Sequence, residues 1–120
     1  MKLEDTINNR IRKILTNGTI VTVAGTGVGG FNFDGILATD AKLNHPISLA
    51  VDANDIVYFT DTNNQRIRVI LENGNISTVI GTGVGGFNGD YLSPNNTKLN
   101  NPQNIAFDPS GNLYFAGKSF

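Results

Sequence analysis

Displaced by 56 positions, the chain lies on itself without a gap, and this single property limits what it can fold into. Of the 60 pairs formed between residues 5–64 and 61–120, 30 are identical. Arg10-Ile11-Arg12 falls on Arg66-Ile67-Arg68, Asn17-Gly18 on Asn73-Gly74, and Lys42-Leu43-Asn44 on Lys98-Leu99-Asn100. The run from Gly25 to Asn32 returns unchanged as Gly81 to Asn88. A fixed period of this length means stacked supersecondary units, each unable to bury its apolar face alone. Repeat 1 spans about residues 5–60 and repeat 2 about 61–116 of a single segment.

Within each unit the sequence reads as four short strands. Ser48 to Asp52 and Asn104 to Asp108 are brief apolar runs ending in Asp, followed by the turns Asp52-Ala53-Asn54-Asp55 and Asp108-Pro109-Ser110-Gly111. Such residues tolerate the tight backbone of turns. Ile56 to Thr60 and Leu113 to Ala116 come next, rich in β-branched and aromatic side chains. Arg66 to Leu71, matched by Arg10 to Leu15, makes a third strand. Asn73-Gly74 and Asn17-Gly18 signal hairpins, with a type I′ turn expected. Ile76 to Ile80 and Ile20 to Ala24 complete the sets. The unbroken apolar character of Leu49-Ala50-Val51 and Ile105-Ala106-Phe107 suits an inner strand covered on both faces. Four antiparallel strands at this period make a propeller blade.

Composition removes several kinds of function. The net charge is −1 and only 16% of residues are charged, which gives no field to attract nucleic acid or an anionic membrane surface. No apolar run reaches the roughly 20 residues of a membrane span. Without cysteine there are no disulfides, thiolate nucleophiles or zinc–thiolate sites. Gly25 to Gly30 and Gly81 to Gly86 satisfy G-x-G-x-x-G. A dinucleotide site needs that loop to open a helix. Here Phe-Asn and more loop follow, so the glycines serve the crossing between blades and no cofactor is expected.

The string from Tyr58 through Asp61-Thr62-Asn63-Asn64-Gln65 to Arg68 resembles the signature of NHL repeats, close to LYIADTNNNRIRKV. The segment from Gly81 through Phe87-Asn88-Gly89-Asp90 to Pro102 is similar to the long-loop NHL variety. The resemblance covers nearly the whole chain and implies a six-bladed β-propeller, commonly a binding platform and less often an enzyme. Phe33, Gly35-Ile36-Leu37 and Tyr91-Leu92 depart from the usual glycine-rich run, and Ala116-Gly117 lacks the Asp that should follow the second strand.

With strands lettered A to D from the axis outward, the expected order is C-D, A-B-C-D, A-B: a half blade, a full blade and a half blade. The class is all-β, with two four-stranded blade equivalents per chain. An open strand edge seeks a partner. The C-terminal half blade can accept the N-terminal half of another copy, a head-to-tail contact that must close into a ring. The expected partner is therefore the chain itself, with three copies closing six blades as a homotrimer. A piece of a longer propeller would show the same two half blades.

Smaller features have structural readings. Ser93-Pro94 reads as the N-cap and first residue of a short helical turn. Asp61 with Arg66 brackets the turn between strands B and C, as a turn-bonding carboxylate with a cross-hairpin ion pair. His45, the only histidine, falls in the loop entering strand A and reads as a loop hydrogen-bonding residue. The function expected is a self-assembling structural or binding scaffold, with the ligand on the long-loop face. Candidate ligand-binding residues are Phe31, His45, Asn63, Phe87, Tyr91, Asn101 and Gln103. Their mixture of amides and aromatics suits a peptide or carbohydrate. The alternative is a metal-dependent lyase or hydrolase, with three His45 side chains holding zinc at the channel mouth.

Overall fold

The computed structural model describes the backbone of residues 2–5 and, with side chains, residues 7–117. Thr6 and Lys118 to Phe120, which figure in the repeat alignment, lie outside the described residues. The described chain is built of antiparallel sheets, with no α-helix among its described residues. Strands β1 (Lys2–Asp5), β2 (Arg10–Ile14) and β3 (Ile20–Ala24) form the first sheet in that order. A four-stranded sheet follows in the order β4 (Pro46–Val51), β5 (Val57–Asp61), β6 (Arg66–Ile70) and β7 (Ile76–Ile80). Strands β8 (Pro102–Phe107) and β9 (Leu113–Gly117) pair as the third. These are propeller-like blades of three, four and two strands, and the bounds of β2 to β9 lie within one or two residues of those expected.

The first sheet corrects the expected order. Lys2–Asp5 is a B strand, because Asp5 faces Arg10 in the register by which Asp61 faces Arg66. The sequence therefore runs B-C-D, A-B-C-D, A-B. The inner edge of β2, expected to stand open, is covered by backbone pairing.

The hairpin turns are also corrected. Gly18 and Gly74 have positive φ (88° and 86°), whereas Asn17 and Asn73 do not. Gly18 N–H donates to Leu15 O at 2.9 Å, and Asn17 Oδ1 accepts Thr19 N–H at 2.9 Å. One more residue lies in the loop than a type I′ turn holds, and the Asn side chain closes it.

The blades pack through two apolar clusters. Ile11, Ala24, Leu43, Phe59 and Ile76 are completely buried in the first, which joins the three-stranded and four-stranded sheets. Ile67, Leu99 and Ile105 form the second, between the four-stranded and two-stranded sheets. Each of the Ile, Leu and Phe side chains contributes about 1.5–3 kcal/mol on burial. Short 3-10 turns at Ala38–Asp40 and Pro94–Asn96 shape the two long loops, and Ala38 joins the first cluster. Ser93 does not cap its turn by a side-chain bond to the main chain; its Oγ accepts from Asn96 Nδ2 at 2.8 Å.

Candidate functional site

The two long loops, 25–45 and 81–101, are held in one shape by the same internal bonds. Asn32 Nδ2 donates to Asp40 O and Asn32 Oδ1 accepts Lys42 N–H, at 3.0 and 2.8 Å. Asn88 makes the matching pair with Asn96 O and Lys98 N–H, both at 2.9 Å. Where each loop enters strand A, a left-handed residue is fixed by an amide one blade earlier. His45 (φ 57°) donates its N–H to Asn9 Oδ1 at 2.9 Å. Asn101 (φ 47°) donates to Gln65 Oε1 at 2.7 Å, and Gln65 Nε2 returns a bond to Asn101 Oδ1 at 2.8 Å.

Of the seven candidate residues, this arrangement joins His45 and Asn63. The His45 Nδ1 lies 3.0 Å from Asn44 Oδ1 and 3.0 Å from Asn63 Nδ2. Asn63 N–H also donates to Asn44 O at 3.0 Å. Asn101 belongs to the separate pair with Gln65, and Gln103 is half-buried on β8. Tyr91 is fully exposed at the second loop's tip. Among the described residues, no group of three or more His, Cys, Asp or Glu side chains could hold a metal ion.

Phe31 has a different setting from the one expected. The Arg66 guanidinium carbon lies 3.9 Å above its ring centroid and that of Arg68 4.9 Å. The ring is thus a platform for two cations rather than an open stacking face. Beneath it lies a charged node that sequence reasoning placed on the wrong arginine. Asp61 pairs with Arg68, Oδ2 to Nη1 at 2.8 Å, and both side chains are completely buried. Arg66 stands opposite Asp61 in the backbone register, but its Nη groups donate to Asn64 O and Thr82 O. Arg66 is partly exposed and can use main-chain acceptors, whereas the sealed Arg68 charge needs a carboxylate. Arg68 Nη2 also reaches Asp34 Oδ1 at 3.1 Å, and that oxygen accepts Thr78 Oγ1–H at 3.0 Å. Burial pushes the Asp61 carboxyl up from its ordinary value, against hydrogen bonds from Asn64 and Asn44 N–H and the Arg68 charge. Burial and the neighbouring Arg68 charge lower Arg66.

A cavity of about 350 Å³ opens at the equivalent place one repeat later. Its walls include Phe87, Lys98, Leu99, Pro102, Phe115 and Gly117. Of the matching residues in the preceding repeat, Phe31 lies under the Arg68 guanidinium and Asp61 pairs with it. Among the described residues no strand C pairs with β9. Arg12 and Arg68 are repeat equivalents, as are Asp34 and Asp90.

A family profile described as the teneurin NHL domain matches residues 30–86. The chain is 44% identical over 75 residues to teneurin-4 of Homo sapiens, an alignment covering 54% of this chain and 3% of that protein. Among solved structures, a Bacteroides thetaiotaomicron protein described as of unknown function superposes with a TM-score of 0.83 at 24% identity, over 97% of this chain and 29% of that one. An auxiliary nutrient binding protein from Bacteroides ovatus gives a TM-score of 0.70 at 21% identity, over 95% and 31%. The structural likenesses concern the fold, and this chain spans less than a third of either structure. The repeat signature, the profile match over residues 30–86 and the propeller-like sheets agree, and together they support the NHL-repeat family.

Proposed function

We propose that the chain is a self-assembling NHL-type scaffold, in which copies join head to tail and three of them close a six-bladed ring. The observation that carries this reading is the cavity beside β9, at the place where the preceding repeat holds Arg68 between Phe31 and Asp61. Repeat-equivalent side chains measure what is uncovered there. Phe59 is completely buried, whereas its equivalent Phe115 is 39% exposed; Ile76 is completely buried, whereas Ile20 is 50% exposed. Joining β9 of one copy to β2 of the next brings these deficits together. In that join β1 yields its place on β2 to β9, one backbone ladder replacing another, so the net gain comes from apolar burial. The structures of similar fold are each a little over three times the matched length, which supports three copies per ring.

The ring presents the long-loop face as a binding platform for a peptide or carbohydrate. Tyr91, His45, Asn63, Asn101 and Gln103 are its contributions from each copy. The test of assembly is native mass. Three copies of 12.8 kDa give about 38 kDa, and a mass that stays at one copy at high concentration overturns the reading. For the ligand, Tyr91→Ala should keep the native mass while abolishing capture on a glycan or peptide array.

A further inference from the structure

The first long loop does more than connect two blades: it clasps the outer strands of the blade that follows. Gly35 N–H donates to Ile76 O at 2.8 Å, Ile76 N–H to Ile36 O at 2.9 Å, and Leu37 bridges to Asn75. Beside this rung, Asp34 reaches Arg68 and Thr78, while Phe31 lies under Arg66 and Arg68. The loop thus fastens one blade to the next by backbone pairing, an ion pair and a cation–π platform at once.

The second loop carries the same clasp, and among the described residues nothing fills it. We propose that Phe87 and Asp90 fasten onto β2 and β3 of a second copy of this chain, Phe87 beneath its Arg10 and Arg12 and Asp90 against its Arg12 and Thr22. This rests on the assembly proposed above and names the surface that makes it. Phe87 is 80% exposed, against 37% for Phe31 under its two guanidinium groups. The loop needs no rearrangement to bind, since the internal bonds of Asn88 already hold the shape that Asn32 gives the first loop. Preorganisation of this kind lowers the entropic cost of association.

The occupant follows from residue identity and charge. Between residues 33–41 and 89–97 only one of nine positions is identical, and it is Asp34 with Asp90. On the receiving side, Arg10, Arg12, Ile20 and Thr22 match Arg66, Arg68, Ile76 and Thr78 without exception. An acidic, aromatic loop and a basic strand pair are thereby both present on every copy, at opposite ends, as a head-to-tail contact requires. One rung is lost: Pro94 stands where Ala38 donates its N–H to Gly74 O.

The chain has no cysteine, which makes a cross-link a clean test. Leu37 and Asn75 are bridge partners, so the clasp sets Ser93 of one copy against Thr19 of the next. Facing residues of an antiparallel pair have Cα atoms about 4.5–5.5 Å apart, within disulfide reach. A Ser93→Cys chain is mixed with a tagged Thr19→Cys chain and oxidised, with Leu37→Cys/Asn75→Cys as the in-chain control. The mixed disulfide should form well above the level of either chain alone. A ring of native mass about 38 kDa that forms no mixed disulfide overturns the clasp and leaves the ring standing, whereas a monomer overturns both. As an independent readout, Phe87→Ala should raise the concentration at half-assembly at least about tenfold. An unchanged midpoint overturns the clasp.

Discussion

The Asp61 carboxylate and the Arg68 guanidinium meet at 2.8 Å with neither side chain reaching solvent. Asp61 spends its remaining capacity on Asn44 N–H at 2.7 Å and Asn64 Nδ2 at 2.8 Å. Asn64 Nδ2 also lies 2.8 Å from Gly30 O in the first long loop. One buried carboxylate therefore ties together strand B, strand C, the turn between them and the loop arriving from the preceding blade.

Breaking such a pair from one side leaves a buried charge without compensation, at about 3–5 kcal/mol. Arg68→Met should lower the stability of the chain by that order in urea denaturation. Arg66→Met, which removes a partly exposed cation bonded to main-chain oxygens, should cost less than half as much. Equal losses would mean that the buried node is not what secures the blade.

Glycine positions separate close approach from backbone conformation. Gly81 and Gly89 have nearly the same φ, 117° and 115°, but a Cβ on Gly81 would come within 2.4 Å of Gln65 O whereas Gly89 has nothing within 4 Å. Left-handed strain of about 1 kcal/mol applies to alanine at both. Gly81→Ala should therefore lose clearly more in thermal midpoint than Gly89→Ala. Similar losses would refute the clash.

Much of this fold was legible from the 56-residue period, because repeat identity located strands and turns together. Strand β1 was missed because Lys2-Leu3-Glu4-Asp5 has one apolar residue and no alternation; only the Asp5–Asp61 equivalence marked it. The Asp61–Arg68 pair was misassigned because facing register favours Arg66, whereas burial decides which cation needs the carboxylate. The two long loops were legible from the repeat, since Asn32 and Asn88 are equivalent and make matching bonds. That Phe31 is committed to two arginines was not, since those arginines lie 35 and 37 residues away in the chain and meet it only after the blade packs.

Asp108 offers a pH test. Its carboxylate accepts from the Asn112 side chain, the Asn112 and Ser110 N–H groups and the Tyr114 hydroxyl, which hold its pKa below the ordinary 3.8. A depressed folded value adds stability above the unfolded pKa, lost as pH falls through the folded one. The stability difference between the wild type and Asp108→Asn should thus be largest above pH 4 and shrink on acidification. A difference that stays flat between pH 6 and pH 2 would show that the hydrogen bonds do not favour the ionised form.

Ile20 and Ile76 hold the same place in successive repeats, and their contrast makes the last prediction. Ile76 is completely buried in the first core cluster, so Ile76→Ala should cost about 2–5 kcal/mol at any protein concentration. Ile20 is half exposed in a single copy, and Ile20→Ala should cost under about 1 kcal/mol where the chain is dilute and monomeric. In the proposed ring, Ile20 would gain the covering that Ile76 already has. The Ile20→Ala penalty should then grow toward that of Ile76→Ala, because a group buried only in the assembly contributes only there. Measuring both variants by urea denaturation across a hundredfold range of concentration decides it. A penalty at Ile20 that does not change with concentration would mean that the β3 surface stays in solvent.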